Sequence, residues 1–412
     1  MTTWGNEQAR RTSARPGAWS GSRSGASATA ALVVLTSAAL AAVGPSASAA
    51  VTGTGSPAAP SLRRIAATPL TPRGHEVPAR VVRGRLPATP GTGYSTLGAG
   101  PVGSAGPVAL PTFSDTFTWN GDLYPYRMVG RAPTGSAHTT AVANTIVPIS
   151  VKVNGITIPT TATTVKAVTT SGLFTAKTFP GGTGQYGDVF MRTQFWSELN
   201  GGTKNWHVVM AAPTVRPTVT LTVPVGKGEI GTISGVPVAM VDADWLDTTL
   251  LPQSRAAKAN VLTQLLTTNV VACAPYTADL ANCGIGGFHS AVTDANGTHT
   301  YTYQSFLNPA LFGSASGFTD IGPMSHELAE WLTDPYVDNR VPDWTSPLAP
   351  QYGCVADLES GDPVVGKFIR IATLAYQDEA YLAWFARTAS TSWLNRYTWF
   401  DTFASVSPSC TP

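Results

Sequence analysis

Charged residues are scarce in this sequence. Asp, Glu, Lys and Arg make up only 12% of its 412 residues, about half the share usual in globular proteins. Residues 1–85 hold ten arginines and two carboxylates, whereas residues 86–412 hold 16 basic and 22 acidic residues, a net charge of −6. A mildly acidic body argues against a nucleic-acid-binding protein, and we expect no nucleic-acid partner.

Cysteine is equally scarce. The four cysteines form no CxxC pair, and the sequence also lacks a GxSxG nucleophile elbow and a P-loop. An even number of cysteines in an exported protein predicts two disulfides. Of the three possible connectivities, the nearest-neighbour pairing of Cys273 with Cys283 and of Cys354 with Cys410 is our prediction. A carboxylate pair of the glycosidase kind stays open, because spatial separation decides it.

A single long apolar run occurs near the start of the chain. Ala28–Val43 follows an arginine-containing segment and precedes Ala47-Ser48-Ala49, the order of a secretory signal peptide with its cleavage site. We therefore predict that residues 1–49 are a cleaved signal peptide, with a retained anchor as the alternative. The protein is then secreted and extracellular, with no membrane association after cleavage. Residues 50–107, rich in Pro, Gly and Ala, are predicted to be a disordered linker or a propeptide.

The composition and pattern of the remaining chain change near residue 240, which predicts two domains. Residues 108–240 contain β-branched segments separated by Gly, Pro and Asn, which predicts a β-rich domain, with a short helix within Gly184–Leu199. Residues 241–412 are predicted to form a zincin-like α/β domain. Its first part, Leu251–Val271, has apolar spacing near that of a helix, and Ala295-Asn296-Gly297 lies between two alternating runs, which predicts a hairpin. The expected fold class is α+β.

The segment Gly322–Trp344, GPMSHELAEWLTDPYVDNRVPDW, has the features of a helix. Pro323 suits its first turn and Pro335 ends it, and Asp320 or Ser325 is a candidate cap. Its apolar residues recur every four positions and so predict a buried stripe. These residues are Met324, Leu328 and Leu332.

On another face of this helix lies the pattern HExxE. His326 and Glu330 are four residues apart, so they are about one turn, ~5.4 Å, from each other. In the HExxH motif of zincins, two such residues bind zinc and the intervening glutamate activates water. A carboxylate is an acceptable zinc ligand. The pattern therefore predicts His326 and Glu330 as metal ligands and Glu327 as the catalytic base.

The surrounding sequence is rich in acids. Nine carboxylates lie between Asp320 and Asp362, where Arg340 is the only basic residue. Glu359 and Asp362 are candidates for a further metal ligand, as is His289 on the preceding hairpin. The competing interpretation is an amphipathic helix whose acids face solvent.

Three segments resemble a known family. NCGIGGFHSA (282–291), SHELAEWLTDP (325–335) and ESGDP (359–363) are similar to secreted bacterial proteins distantly related to the plant EXORDIUM/phosphate-induced proteins. The resemblance implies a secreted protein with a zincin-like signature and no established substrate. It also implies that His326 and Glu330 bind metal, that Glu327 is the base, and that the later segment contributes Glu359 and Asp362.

Together these observations predict a secreted metal-dependent hydrolase, most specifically a zinc peptidase using a metal-activated water on a peptide or protein substrate. The alternative is a non-catalytic extracellular or cell-wall-associated binding protein with a structural metal site. Zinc is the predicted metal because a histidine and carboxylates suit it. Calcium is the alternative, because the site is rich in carboxylates.

Overall fold

The computed structural model describes residues 63–64, 109–274, 276, 283–312, 318–350 and 353–410. The predicted signal peptide and, apart from Arg63–Arg64, the predicted linker lie outside the described residues. The described residues belong to one compact unit. No helix among them is both long enough and apolar enough to span a membrane.

Strands predominate over helices along the described chain. The helices are α1 (Ala162–Thr169), α2 (Tyr186–Gln194), α3 (Ala243–Arg255), α4 (Pro309–Phe312), α5 (Gly322–Thr333) and α6 (Leu382–Ala386), with 3₁₀ helices at Asp362–Val364 and Trp393–Asn395. The strands are β1 (Arg63–Arg64), β2 (Thr112–Trp119), β3 (Asp122–Val129), β4 (His138–Val153), β5 (Ile156–Ile158), β6 (Lys177–Phe179), β7 (Gly182–Gly184), β8 (Trp206–Met210), β9 (Thr214–Val215), β10 (Val219–Val223), β11 (Gly228–Ile233), β12 (Val236–Asp242), β13 (Val261–Thr268), β14 (Val270–Cys273), β15 (Cys283–Ile285), β16 (Gly287–Asp294), β17 (Gly297–Phe306), β18 (Arg340–Trp344), β19 (Val355–Asp357), β20 (Phe368–Ile371) and β21 (Leu374–Gln377).

The main sheet has eight strands, with the order β10-β4-β13-β17-β16 and with β5, β8 and β9 also paired to β4. Strand β13 pairs in parallel with both β4 and β17, and β16 runs antiparallel to β17 at the edge. Strand β4 precedes residue 240 and β13 follows it. The main sheet therefore contains strands from both sides of the domain boundary predicted at residue 240.

A second sheet has the order β1-β11-β12-β14-β15. The disulfide between Cys273 and Cys283 joins its last two strands, and a second disulfide joins Cys354 to Cys410. The structure thus has the nearest-neighbour pairing that the sequence predicts. The remaining strands form the two-stranded pairs β2–β3, β6–β7, β18–β19 and β20–β21.

The main sheet is covered by a helix on each face. Leu262 and Leu266 of β13 pack in the same apolar cluster as Leu328 of α5. Leu265, which points to the opposite face, packs in a second cluster with Leu246 of α3. This alternation follows from the two-residue period of a strand, and it places α5 directly against the sheet.

The helix predicted over Leu251–Val271 is wrong. Helix α3 ends at Arg255, and the later residues form β13 and β14, separated at Asn269 with φ 50°. Strand β13 is central, and its leucines face both sides of the sheet, with Leu262 and Leu266 in one apolar cluster and Leu265 in the other. Its apolar residues therefore lack the two-residue alternation that distinguishes a strand from a helix.

Most other predicted elements are confirmed. The segments predicted as strands before residue 240 lie in β4, β8 and β10, and α2 lies within Gly184–Leu199. The hairpin turns at Ala295-Asn296, with Asp294 paired to Gly297. Helix α1, capped by the Thr161 hydroxyl, is a short helix that periodicity did not reveal. The mixed α/β composition of the structure agrees with the predicted fold class in this coarse sense.

Candidate metal centre

Helix α5 is fixed at its start by hydrogen bonds to the backbone. At its start, the carboxylate of Asp320 accepts hydrogen bonds from the backbone N–H of Ile321 (2.6 Å) and of Ala375 (2.8 Å). Pro323 lies in the first turn, as predicted. The hydroxyl of Ser325 is not a cap, because it donates to the carbonyl of Gly322 at 2.8 Å inside the helix.

Every residue of α5 is buried. The predicted apolar stripe packs in the main core, yet the polar face is buried as well. His326 is 4% exposed, Glu327 1% and Glu330 0%. The interpretation of this helix as amphipathic with solvent-facing acids is therefore wrong. Buried carboxylates need a compensating partner, because desolvating a charge is costly.

The first donor group combines one helical turn with a later segment. His326 Nε2 lies 3.1 Å from Glu330 Oε1 and 3.4 Å from Asp362 Oδ1. Asp362 begins the 3₁₀ helix after β19, and it is 3% exposed. The backbone N–H of Gly361 donates to Glu330 Oε1 at 3.1 Å and helps to hold that carboxylate in place.

The second donor group is built on the edge hairpin. His289 of β16 donates from Nε2 to the carbonyl oxygen of Asp334 at 3.1 Å, since a carbonyl oxygen can only accept. Its Nδ1 then faces three carboxylates, at 3.6 Å from Glu330 Oε2 and 3.8 Å from both Glu327 Oε2 and Glu359 Oε2. Metal-binding histidines commonly have this arrangement, with one ring nitrogen held by a carbonyl.

The structure brings all the predicted site residues together. Two sets of donors, His326–Glu330–Asp362 and His289–Glu327–Glu330, each have their donor atoms within 4.8 Å of one another and can hold a metal ion. Glu359 joins the second set through its contact with His289. Arg340, the only basic residue of this stretch, pairs with Asp357 instead.

Electrostatics in this cluster favour positive charge. Burial lowers the pKa of the imidazoles, but the carboxylates of Glu359, Glu327 and Glu330 outweigh it and raise the pKa of His289 well above its usual value. Glu330 and other carboxylates likewise raise the pKa of His326 after burial has lowered it. Burial and the charge of Glu330 raise the pKa of Glu359 well above its usual range. The cluster therefore attracts cations, either protons or metal ions.

Two residues around the cluster were not predicted from the sequence. The side-chain amide of Gln377, on β21, donates to His326 Nδ1 (2.6 Å) and to the carbonyl of Gly361 (2.9 Å). Glu379 accepts hydrogen bonds from the hydroxyls of Tyr186 and Ser360, both at 2.8 Å, and burial raises its pKa well above the usual range. Neither residue carries a motif, because each is placed only by the tertiary fold.

Comparison with known proteins adds no further assignment. No protein-family model, no curated protein and no solved structure matches the chain. What the site does must therefore be argued from its own geometry.

Proposed function

We propose that this protein is a secreted metal-dependent hydrolase, most specifically a zinc peptidase, with its metal at His326, Glu330 and Asp362. One observation carries the proposal. Nε2 of His326 lies 3.1 Å from Oε1 of Glu330 and 3.4 Å from Oδ1 of Asp362. Two ligand atoms of a tetrahedral zinc ion with bonds of ~2.0–2.1 Å are ~3.3–3.4 Å apart. The separations from His326 are therefore close to those expected between zinc ligands.

The donor types favour zinc over calcium. Calcium takes six to eight oxygen ligands and longer bonds, whereas His326 and His289 both direct a ring nitrogen to the cluster. Imidazole suits zinc and other transition metals, and carboxylates extend that range toward manganese and iron. Zinc is therefore the metal that we propose for this site.

Glu327 is the proposed proton acceptor. Its Oε1 lies 4.0 Å from His326 Nε2, farther than the oxygens of Glu330 and Asp362, which are the proposed metal ligands. A divalent cation bound here would polarise a scissile carbonyl and lower the pKa of water. Glu327 takes the proton from the attacking water and passes it to the leaving amine, which general acid–base catalysis requires. Gly287 makes room for this carboxylate, because a Cβ there would lie 2.6 Å from Glu327 Oε1.

The proposed compartment is extracellular, and the proposed substrate is a peptide or protein. The disulfides Cys273–Cys283 and Cys354–Cys410 support an oxidising environment. The sequence of residues 1–49 supports export.

The second candidate is a binding protein with a structural metal site. The burial of His326, Glu327, Glu330 and Asp362, each at most 4% exposed, favours it, because structural metal sites are closed whereas catalytic sites keep a position open.

The two candidates differ in how they respond to substitution. We would measure metal content, cleavage of a peptide library and thermal unfolding for wild type, Glu327→Gln and His326→Ala. His299→Ala is the matched control, since His299 is a buried hairpin histidine paired with Asp294 outside the cluster. In a hydrolase, Glu327→Gln keeps the metal at His326 and lowers turnover by about 10²–10⁴-fold.

Other outcomes contradict the hydrolase. If no peptide is cleaved by metal-loaded wild type, and His326→Ala mainly lowers thermal stability, the metal is structural. If wild type holds no stoichiometric transition metal, both candidates are wrong.

A further inference from the structure

We propose that the site holds two metal ions, with Glu330 as the bridging ligand. This inference rests on the proposed function for its first ion, at His326, Glu330 and Asp362. It adds a second ion at His289, Glu330 and Glu359, beside Oε2 of Glu327, whose Oε1 remains the proposed proton acceptor.

The two oxygens of the Glu330 carboxylate are directed to different histidines. Its Oε1 lies 3.1 Å from His326 Nε2, while its Oε2 lies 3.6 Å from His289 Nδ1. Each oxygen therefore has its own imidazole. A carboxylate placed between two nitrogen donors in this way has the geometry of a ligand that bridges two ions ~3.5–4 Å apart.

The distances around Nδ1 of His289 are also those expected around a metal ion. Its Nδ1 is 3.6–3.8 Å from oxygens of Glu327, Glu330 and Glu359, longer than a hydrogen bond. Nε2 of His289 is held by the carbonyl of Asp334, and the side chain is only 2% exposed. The imidazole therefore directs Nδ1 toward the three carboxylate oxygens. Such separations are those of donors arranged around a common ion with bonds of ~2.2 Å.

The charge of the cluster is compatible with two divalent ions. Four carboxylates converge on two imidazoles, and one divalent ion would leave two negative charges buried if all four were ionised. Two divalent ions would neutralise the cluster. Since an uncompensated buried charge is strongly destabilising, two divalent ions are compatible with this donor set. The four carboxylates are those of Glu327, Glu330, Glu359 and Asp362.

The donor set itself is a known kind of two-metal site. Two histidines and four carboxylates, brought together from facing elements, are the ligands of dinuclear carboxylate centres in other folds. Here they come from β16, α5 and the segment after β19.

The test is the number of ions bound at saturation. Purified metal-free protein is dialysed against Zn²⁺ or Mn²⁺, and bound metal is measured by elemental analysis. We expect about two ions for wild type, and a loss of one ion in His289→Ala and in His326→Ala. His299→Ala, altered on the same hairpin as His289, keeps both. Saturation of wild type at one ion, or loss of no ion in His289→Ala, would overturn the proposal.

A second measurement needs no variant. Two bridged Mn²⁺ ions are magnetically coupled, so the electron paramagnetic resonance spectrum of Mn²⁺-loaded wild type should differ from that of an isolated ion. An isolated-ion spectrum at saturation overturns the second site even if His289→Ala fails to fold. Two bound ions without peptide cleavage would refute the hydrolase and leave the dinuclear site standing, whereas one ion with cleavage would do the reverse.

Discussion

Glu330 Oε1 lies 3.1 Å from His326 Nε2, on the same buried face of α5 and one turn away. The second oxygen of Glu330 is directed to His289 instead. A histidine at this position, as in HExxH, could offer only one nitrogen to the cluster. The glutamate therefore provides a contact that a second helical histidine could not.

Replacing Glu330 by histidine tests this difference. We expect Glu330→His to keep one zinc ion, because imidazole is a good zinc ligand, and to lose the second ion. Affinity for Mn²⁺ should fall at least about tenfold relative to zinc, since a hard oxygen ligand is removed. Competition titration with both metals measures the change. A variant that still binds two ions would show that Glu330 does not bridge.

Gly361 provides space for the ring of His326. A Cβ at this position would lie 2.5 Å from His326 Nδ1 and 2.9 Å from Gln377 Nε2, so Gly361→Ala should displace the imidazole. Because contacts that orient a ligand commonly change affinity by about 10–100-fold, we expect a loss of that order in zinc titrations. Gly172→Ala is the control, since its Cβ would be equally crowded, 2.9 Å from Phe179 and Tyr376. Equal metal affinities in the two variants would refute the role of Gly361.

Asp247 gives a pH dependence away from the metal donors. Burial raises its pKa to about 6, the hydroxyl of Tyr301 lowers it, and Asp244 raises it. Because the folded-state pKa is above the unfolded value, its contribution to stability is full below about pH 4 and is lost as pH rises through about 6.

Asp247→Asn should therefore be more stable than wild type at pH 7.5, by about 2 kcal/mol, and similar to it at pH 4. The asparagine can still accept the 2.6 Å hydrogen bond from Tyr301. Urea unfolding of both proteins across this range gives the difference, in which other titrating groups cancel. A variant less stable at pH 7.5 would mean that the carboxylate is favoured in its charged form.

The part of the site that depends on residue spacing within one helix was predictable from the sequence. His326 and Glu330 share a helix, and their four-residue separation places them together whatever the rest of the fold. His289 was only one candidate among several, because its approach depends on how β16 packs against α5. Gln377 was not found at all. It belongs to a short strand whose position is set by contacts such as its backbone N–H donating to Ser325 Oγ at 3.0 Å.

The fold was predictable where one face of an element is polar. The hairpin β16–β17 has a turn sequence and alternating residues that specify it locally. In contrast, β13 lies between two parallel neighbours and is buried on both faces, so its apolar residues do not alternate with the two-residue period of a strand. The burial of the acids on α5 was not predictable either, since it depends on which segments cover that face.

The two disulfides should differ in how much they stabilise the protein. Cys354–Cys410 closes a segment of 56 residues, whereas Cys273–Cys283 closes one of 10. In the chain-entropy account, a longer closed loop restricts the unfolded chain more. The expected losses on replacing each pair by serine are about 4 kcal/mol for the long loop and about 3 kcal/mol for the short one.

Urea unfolding of the two double variants, both compared with wild type in the metal-free state, measures these losses. Metal must be absent, because binding to the folded state alone would add its own stabilisation. The Cys354–Cys410 disulfide also holds Cys410 near β18, where its backbone N–H donates to the carbonyl of Asp343 at 3.3 Å. If the short-loop variant proves the less stable of the two, the local joining of β14 to β15 outweighs loop entropy.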